Sequence, residues 1–295
     1  MNLEEILAEL EYNTGTFPRL ALERAIEERE AITPLLLGTL EKFKDNLEEL
    51  AEDSSYMLHI YSLFLLAQFR ETKAYPLIIE FFSAPGEISL DVTGDVVTED
   101  LGRILASVSG GNIEPLKQLI ENPESNEFVR GAALHSLLVL VVQEVIPREQ
   151  VIQYFEELFS SKFKRENSYI WSDLVVNATR LYPLELKEHI DQAYQSGLVD
   201  QFFISQKDVN YYLKIGLEAC LKRLRENPHY FWIEDTISEM KNWACFREKE
   251  TIPKPTTTFP LPEEFETSRK KATSQSKNKK KAQKESRRKN RPKKK

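Results

Sequence analysis

The chain has 295 residues, 41% of them hydrophobic, with 10 Gly and 14 Pro, enough apolar content for a continuous core. Leu, Glu, Lys and Ala dominate and no strand-like alternation of useful length occurs, which argues against a sheet protein and for helix. The net charge of −7 conceals a division: residues 269–295 hold 15 of the 40 Lys and Arg and one of the 47 acids, a net of +14, leaving 25 bases against 46 acids and a net of −21 on residues 1–268.

The longest purely apolar run, residues 137–142, is far short of the roughly 18–20 that cross a bilayer. Glu4, Glu5 and Glu9 stand where a secretory signal needs a basic start and an apolar centre, so a cytoplasmic protein is expected. Cys220 and Cys245, 25 apart and each within an apolar helical pattern, suggest neither a disulfide framework nor a metal knuckle. Both read as buried thiols.

In chain order, five prolines each follow an apolar helical stretch and a short turn: Pro34, Pro76, Pro115, Pro147 and Pro183, at spacings of 42, 39, 32 and 36. Proline suits the first position of a helix, where its missing N–H would be unpaired anyway, so each is expected to open the second helix of a hairpin unit. A period of about 37 predicts stacked helical hairpins over residues 1–225, an all-α, right-handed α-solenoid.

After Pro85-Gly86, about ten irregular residues interrupt the pattern and then bring Asp91, Asp95, Glu99, Asp100 and Arg103 close together. Long loops in compact domains are often functional, which makes Asp95, Glu99, Asp100 and Arg103 candidate partner-binding residues. The structural alternative is that Asp95 or Thr98 caps the next helix, the acids favour its N-terminal end, and Arg103 pairs with Asp100 or Glu99. The calcium-loop spacing of alternating acids before a glycine is absent, and no metal site is assigned.

The next unit begins Asn126-Glu127-Phe128-Val129-Arg130-Gly131-Ala132-Ala133-Leu134. Asn126 is placed as an N-cap, and Val129, Ala133, Leu134 and Leu137 fall on one buried face. This stretch resembles the HEAT repeat, in which a valine–arginine pair precedes an alanine-rich inner helix; the resemblance implies that Arg130 bonds to a carboxylate or carbonyls of a neighbouring unit. Residues 134–146 are apolar nearly all round, as in a helix sandwiched between units. Trp171, at a helix start with Tyr169 and Ile170, is a candidate exposed anchor for a partner, with core packing as the other reading. A helix is expected over 211–225, a break at Asn227-Pro228, and a last amphipathic helix over 233–246, so that residues 226–248 cap the open end of the stack. Residues 249–268, with Pro253, Pro255, Pro260 and Pro262, read as an extended linker. Residues 269–295 have almost nothing apolar to offset the entropy of ordering, and are expected to be disordered.

Several stretches together resemble the bacterial family catalogued as domain of unknown function 1186: Tyr75-Pro76-Leu77-Ile78 with Phe81-Phe82-Ser83, the run from Gly94 to Ser107, and Ser238-Glu239-Met240-Lys241-Asn242-Trp243-Ala244-Cys245-Phe246. The likeness covers roughly residues 1–248 and implies a helical repeat fold without an activity. Some members end in a cysteine-rich SEC-C zinc motif. This chain has no cysteine after Cys245, so zinc binding of that kind is not expected.

No nucleophile elbow, phosphate-cradling loop, metalloprotease helix or paired-cysteine zinc set occurs, and neither catalytic residues nor a cofactor are assigned. The tail is a different signal. Lys279, Lys280, Lys281, Arg287, Arg288, Lys289, Arg291, Lys293, Lys294 and Lys295 can neutralise phosphates and release their condensed counterions. Without interleaved aromatics to stack on bases, such contact with RNA, DNA or the ribosome is expected to be nonspecific. A solubilising role and an anionic membrane surface are the other readings of the tail. The sequence therefore reads as a non-enzymatic scaffold whose acidic body binds a protein partner; the alternative is an enzyme built on Asp95, Glu99, Asp100 and Arg103.

Overall fold

The computed structural model describes residues 1–44, 46–166 and 168–247, and these form an all-helical fold without strands. The linker and tail expected over 249–295 lie outside the described residues. The chain opens with α1 (Leu3–Glu11), α2 (Arg19–Glu27), α3 (Arg29–Phe43), α4 (Leu47–Glu52), α5 (Leu58–Gln68) and α6 (Ala74–Phe82). It continues with α7 (Ile88–Thr93), α8 (Val96–Glu99), α9 (Leu101–Val108), α10 (Glu114–Glu121), α11 (Glu127–Val142) and α12 (Arg148–Glu157). The last are α13 (Tyr169–Arg180), α14 (Lys187–Gln195), α15 (Gln206–Ile215), α16 (Leu217–Arg225) and α17 (Thr236–Met240).

Local chemistry starts several of these helices. Asn2 and Ser205 form reciprocal capping boxes with Glu5 and Asp208, and the Asn126 side chain accepts from the Phe128 amide at the head of α11. The proline register holds only in part. Pro115 lies in the first turn of α10 and Pro147 is the N-cap of α12, but Pro34 lies well inside α3 and Pro183 lies in the turn before α14. Pro34 is on the exposed face, where the carbonyl freed in the preceding turn meets water, so the helix continues through it. The stretch after Gly86 is not irregular: α7 and α8 occupy most of it. The helix expected over 211–225 breaks at Gly216, whose φ of +85° joins α15 to α16.

Helices α5, α9, α11 and α13 pack side by side in that order, and α3, α6 and α10 lie behind them in a second row. All of α5 except Gln68 is buried, as expected of a helix with neighbours on every side. Hydrogen bonds cross between successive helices at offsets close to the proline period: Lys44 to Glu80 (36 residues, 2.9 Å), the Tyr75 hydroxyl to the Asn112 carbonyl (37 residues, 2.8 Å) and Arg148 Nε to the Leu181 carbonyl (33 residues, 2.7 Å).

Arginines tie up helix ends. The last carbonyls of a helix have no partner within it and carry its negative partial charge. Arg29 donates to the carbonyl of Phe69, the C-cap of α5; Arg130 donates to Ile120 O near the end of α10 at 2.8 Å; Arg148 donates to Leu181 O, the C-cap of α13, and to Tyr182 O. Arg148 also holds Glu185 in a two-pronged ion pair at 2.8 Å on each prong, and this holds the Glu185 carboxyl below its usual range.

The segment after α16 is not one terminal helix: only Thr236–Met240 is α-helical, with single 3-10 turns at Pro228–Tyr230 and Ala244–Phe246. Nor does it close the end of the stack. It runs back as a strap against chain order. Gln143, the C-cap of α11, donates to Tyr230 O; Ser107 of α9 accepts from the Ile233 amide; Gln68 of α5 accepts from the Thr236 amide. Trp243 then packs edge-on against Phe64, and Phe246 against Phe17. Cys220 is fully buried, whereas Cys245 lies exposed on this strap, correcting the expectation of two buried thiols.

Arg130 stacks its guanidinium over the Phe163 ring as well as binding Ile120 O. Replacing it with Ala should lower unfolding stability by about 1–3 kcal/mol, because a buried carbonyl loses its donor. A chemical-denaturation midpoint unchanged from wild type would contradict that role.

Candidate functional site

The acidic cluster converges only partly. Arg103 is buried (7% exposed) and spends its donors on the strap: Nε on Phe231 O at 2.9 Å, and the two terminal nitrogens on Trp232 O at 3.0 Å and on both oxygens of Glu239 at 2.5 and 2.9 Å. Asp100 reaches it from one turn away at 3.4 Å, the helical pairing foreseen as the structural alternative. Burial pushes the Asp100 carboxyl up to about 6; Arg103 pulls it down, while Glu239 and Glu99 push the other way. Asp95, Glu99 and Asp100 border an open cavity of about 480 Å³ together with Trp243 and Cys245. Arg103, engaged by the strap, is not among the residues that line this cavity. Trp171 is not an exposed anchor: it is 1% exposed, its indole N–H bonds Lys164 O at 2.8 Å, and Phe159 and Phe163 pack against it.

The more unusual site is a second cavity, of about 400 Å³, between α11 and α13 and walled in part by the strap. Two helical stripes line it. Phe128, Gly131, Ala132 and His135 repeat along α11, and Tyr169, Asp173, Asn177 and Arg180 along α13, both at the spacing of one helix face. Small residues create the room. A Cβ on Gly131 would stand 2.8 Å from Asp173 Oδ2, and one on Gly102 would stand 2.6 Å from His135 Nδ1, so α9, α11 and α13 approach closely only because these positions lack side chains.

Burial governs the cavity's electrostatics. It pushes the Asp173 carboxyl up to about 7, opposed by Arg180 and by the Asn177 amide. It drives the His135 imidazole down to about 3, with Arg180, His229 and Arg103 adding to the effect, so His135 is neutral and sits edge-on to Tyr230 at 4.8 Å. Asn177 is 1% exposed; its Nδ2 donates to Asp173 O at 2.8 Å and to Asp173 Oδ2 at 3.1 Å, and its buried Oδ1 has no partner. Arg180 reaches the Tyr230 hydroxyl. Among the described residues, neither Asp173 nor Arg180 has an opposite charge within 4.0 Å.

Of the candidate partner-binding residues read from sequence, Asp95, Glu99, Asp100, Arg103 and Trp171, only Glu99 borders this cavity; Asp173, Asn177 and Arg180 were not singled out. Their polar stripe at i, i+4 and i+7 in a helix with an otherwise apolar face was the available signal. Among the described residues, no group of three His, Cys, Asp or Glu is placed to hold a metal ion, and no helix is long and apolar enough to cross a membrane.

Fold and site together define an all-helical protein with a polar cavity walled by its own C-terminal strap. The chain belongs to the family described as "Protein of unknown function (DUF1186)", whose model matches residues 1–247. It is 41% identical over 244 residues to an "Uncharacterized protein" of Chlamydia trachomatis serovar D, covering 82% of this chain and 96% of that one. It is 40% identical over 244 residues to an "Uncharacterized protein" of Chlamydia muridarum, covering 82% and 97%. No solved structure matches.

Two outcomes follow from these geometries. Arg103→Met should destabilise the protein by about 1–3 kcal/mol, since it strands a half-buried carboxylate and two carbonyls; limited proteolysis should then cut within 226–247. Wild-type resistance there would mean the strap is held by other contacts. For Asp173, the folded value of about 7 lies above the ordinary 3.8, so its contribution to stability is full below about pH 4 and is lost as pH rises through about 7. Asp173→Asn should therefore flatten that pH dependence and raise the unfolding midpoint above about pH 7, by on the order of 1–3 kcal/mol. Parallel wild-type and variant curves would rule out a buried, titrating Asp173.

Proposed function

We propose that this chain is a cytoplasmic, non-enzymatic interaction protein: a right-handed stack of HEAT-like helical hairpins that binds a protein partner, with a basic tail that contacts RNA, DNA or the ribosome. The proline spacing and the hydrogen bonds at offsets of 33 to 37 residues support the repeat reading. One observation carries partner binding. Phe202 is 89% exposed and Phe203 52%, on the turn after α14, with Phe203 edge-on to Tyr169 at the cavity. Two adjacent exposed aromatics beside a concave polar surface are the anchors that protein interfaces bury. They take the role first expected of Trp171. The candidate contacts Asp95 and Glu99 are exposed and available to a basic partner, whereas Asp100 is half-buried against Arg103. Arg103, engaged by the strap, is not available.

A second reading, an enzyme, moves from the acidic cluster to Asp173, whose carboxyl near neutrality in a cavity suits general acid–base work.

The tail half of the proposal has a direct test. Fluorescence anisotropy against a short RNA and a short DNA should show binding by the full chain that falls steeply with salt. Removal of residues 269–295 should abolish it, because a body of net −21 repels phosphate. A truncated body that binds as well as the full chain would falsify the assignment. Phe202→Ala should retain nucleic-acid binding but lose protein partners that survive nuclease treatment.

A further inference from the structure

Asp173 and Arg180 lie two turns apart on one face of α13 and line one cavity, yet they do not pair. Seven residues apart on one helix they stand about 10 Å from each other along its axis, beyond the i, i+4 reach of an ion pair. Here the two charges stay open towards the same space, and Asn177 stands between them in sequence and on the same stripe. Asp173 fixes the orientation of the Asn177 amide by accepting from Nδ2 through two oxygens, which leaves Oδ1 buried with no donor. That oxygen is closed off from the cavity, so Asn177 acts by holding Asp173, and the groups open to the space are the Asp173 carboxylate and the Arg180 guanidinium.

We propose that the cavity between α11 and α13 binds a small zwitterion of the α-amino-acid class, its ammonium facing Asp173 and its carboxylate facing Arg180. This goes beyond partner and nucleic-acid binding, and stands or falls separately from both.

Charge balance selects the class. A phosphate or other dianion would meet Asp173 and Glu99, both on the cavity wall, and a simple cation would leave Arg180 without a counter-charge. A molecule carrying both charges at short separation satisfies the two ends at once. One stretch of the remaining wall is aromatic, beside Thr98, Asn227 and His229: Phe128 and Tyr169 pack at 4.6 Å, and Tyr169 and Phe203 at 5.3 Å. Such a wall favours an apolar or aromatic side chain on the ligand. A volume of about 400 Å³ is within the range of small-molecule sites. Gly131 belongs to the same design, since a Cβ there would press on Asp173 Oδ2.

The test uses the full-length chain in isothermal titration calorimetry with the common L-α-amino acids, each tested singly, and then with N-acetyl and carboxamide derivatives of any that bind. Binding is expected from at least one amino acid with an apolar or aromatic side chain, and each derivative should bind about tenfold more weakly or worse, since each lacks one charge. Asp173→Asn and Arg180→Met should weaken the same ligand by about tenfold or more while circular dichroism stays helical. Glu99→Gln, at an exposed position that folding does not need, should weaken it less. The proposal is overturned if no free amino acid binds, if blocked derivatives bind as tightly as the parent, or if folded Asp173→Asn and Arg180→Met bind unchanged. The derivative series runs on wild-type protein, so its outcome does not depend on any variant folding.

Discussion

The structure depends on arginines that donate to backbone carbonyls where helices end. A two-row stack of short helices creates many such ends, each with carbonyls that its own helix cannot satisfy. The usual remedy is a glycine in the left-handed region after the last turn, which turns the chain back on itself. This chain often uses a guanidinium from another element instead: Arg29 at the end of α5, Arg130 at the end of α10, Arg148 at the end of α13. Arg70 and Arg103 do the same for the strap, on Ile233 O and on Phe231 O and Trp232 O. A guanidinium suits this because it is always charged, offers a planar fork of donors, and is weakly enough hydrated to be buried.

The strap gives those bonds a functional side. Arg103 fixes residues 231 and 232, and the residues just before them, His229 and Tyr230, form part of the wall of the cavity on α11 and α13. Tyr230 in turn meets both Arg180 and His135. A residue first read as part of a binding or catalytic cluster thus shapes a different site from behind.

The helical class, the position of α11 and its cap, and the burial of Leu134 and residues 136–140 were legible because apolar periodicity and Asn126 report directly on local structure, although the helix read over 134–146 ends at Val142. The proline register was legible only coarsely, since an exposed proline such as Pro34 is tolerated in mid-helix and one such as Pro183 serves in a turn. The strap was not legible. It is held largely by its backbone atoms, bonded to side chains more than a hundred residues away, and such bonds leave no pattern in the segment that accepts them. Gly102 and Gly131 stand in between. Sequence marks them as small residues for close helix packing, and packing is indeed close, but the groups that need the space are the polar ends of His135 and Asp173.

The strap also bears on how the chain acquires its fold. The bonds that Arg103, Arg70 and Gln68 make to it join residues 128, 163 and 168 positions apart, whereas those described above between neighbouring helices span 10 to 40. The helices can associate pairwise as they leave the ribosome, since each needs only its near neighbours. Arg70, Arg103 and Gln68 must wait with their donors and acceptors in water. At roughly 5–20 residues per second, synthesis of the intervening 128 to 168 residues takes about 6–34 seconds. During that interval the α5–α9 surface is bare of its last layer, including the contact that later covers Phe64. The contacts of this body thus divide into short-range ones between neighbouring helices and long-range ones at the strap, which raise its contact order.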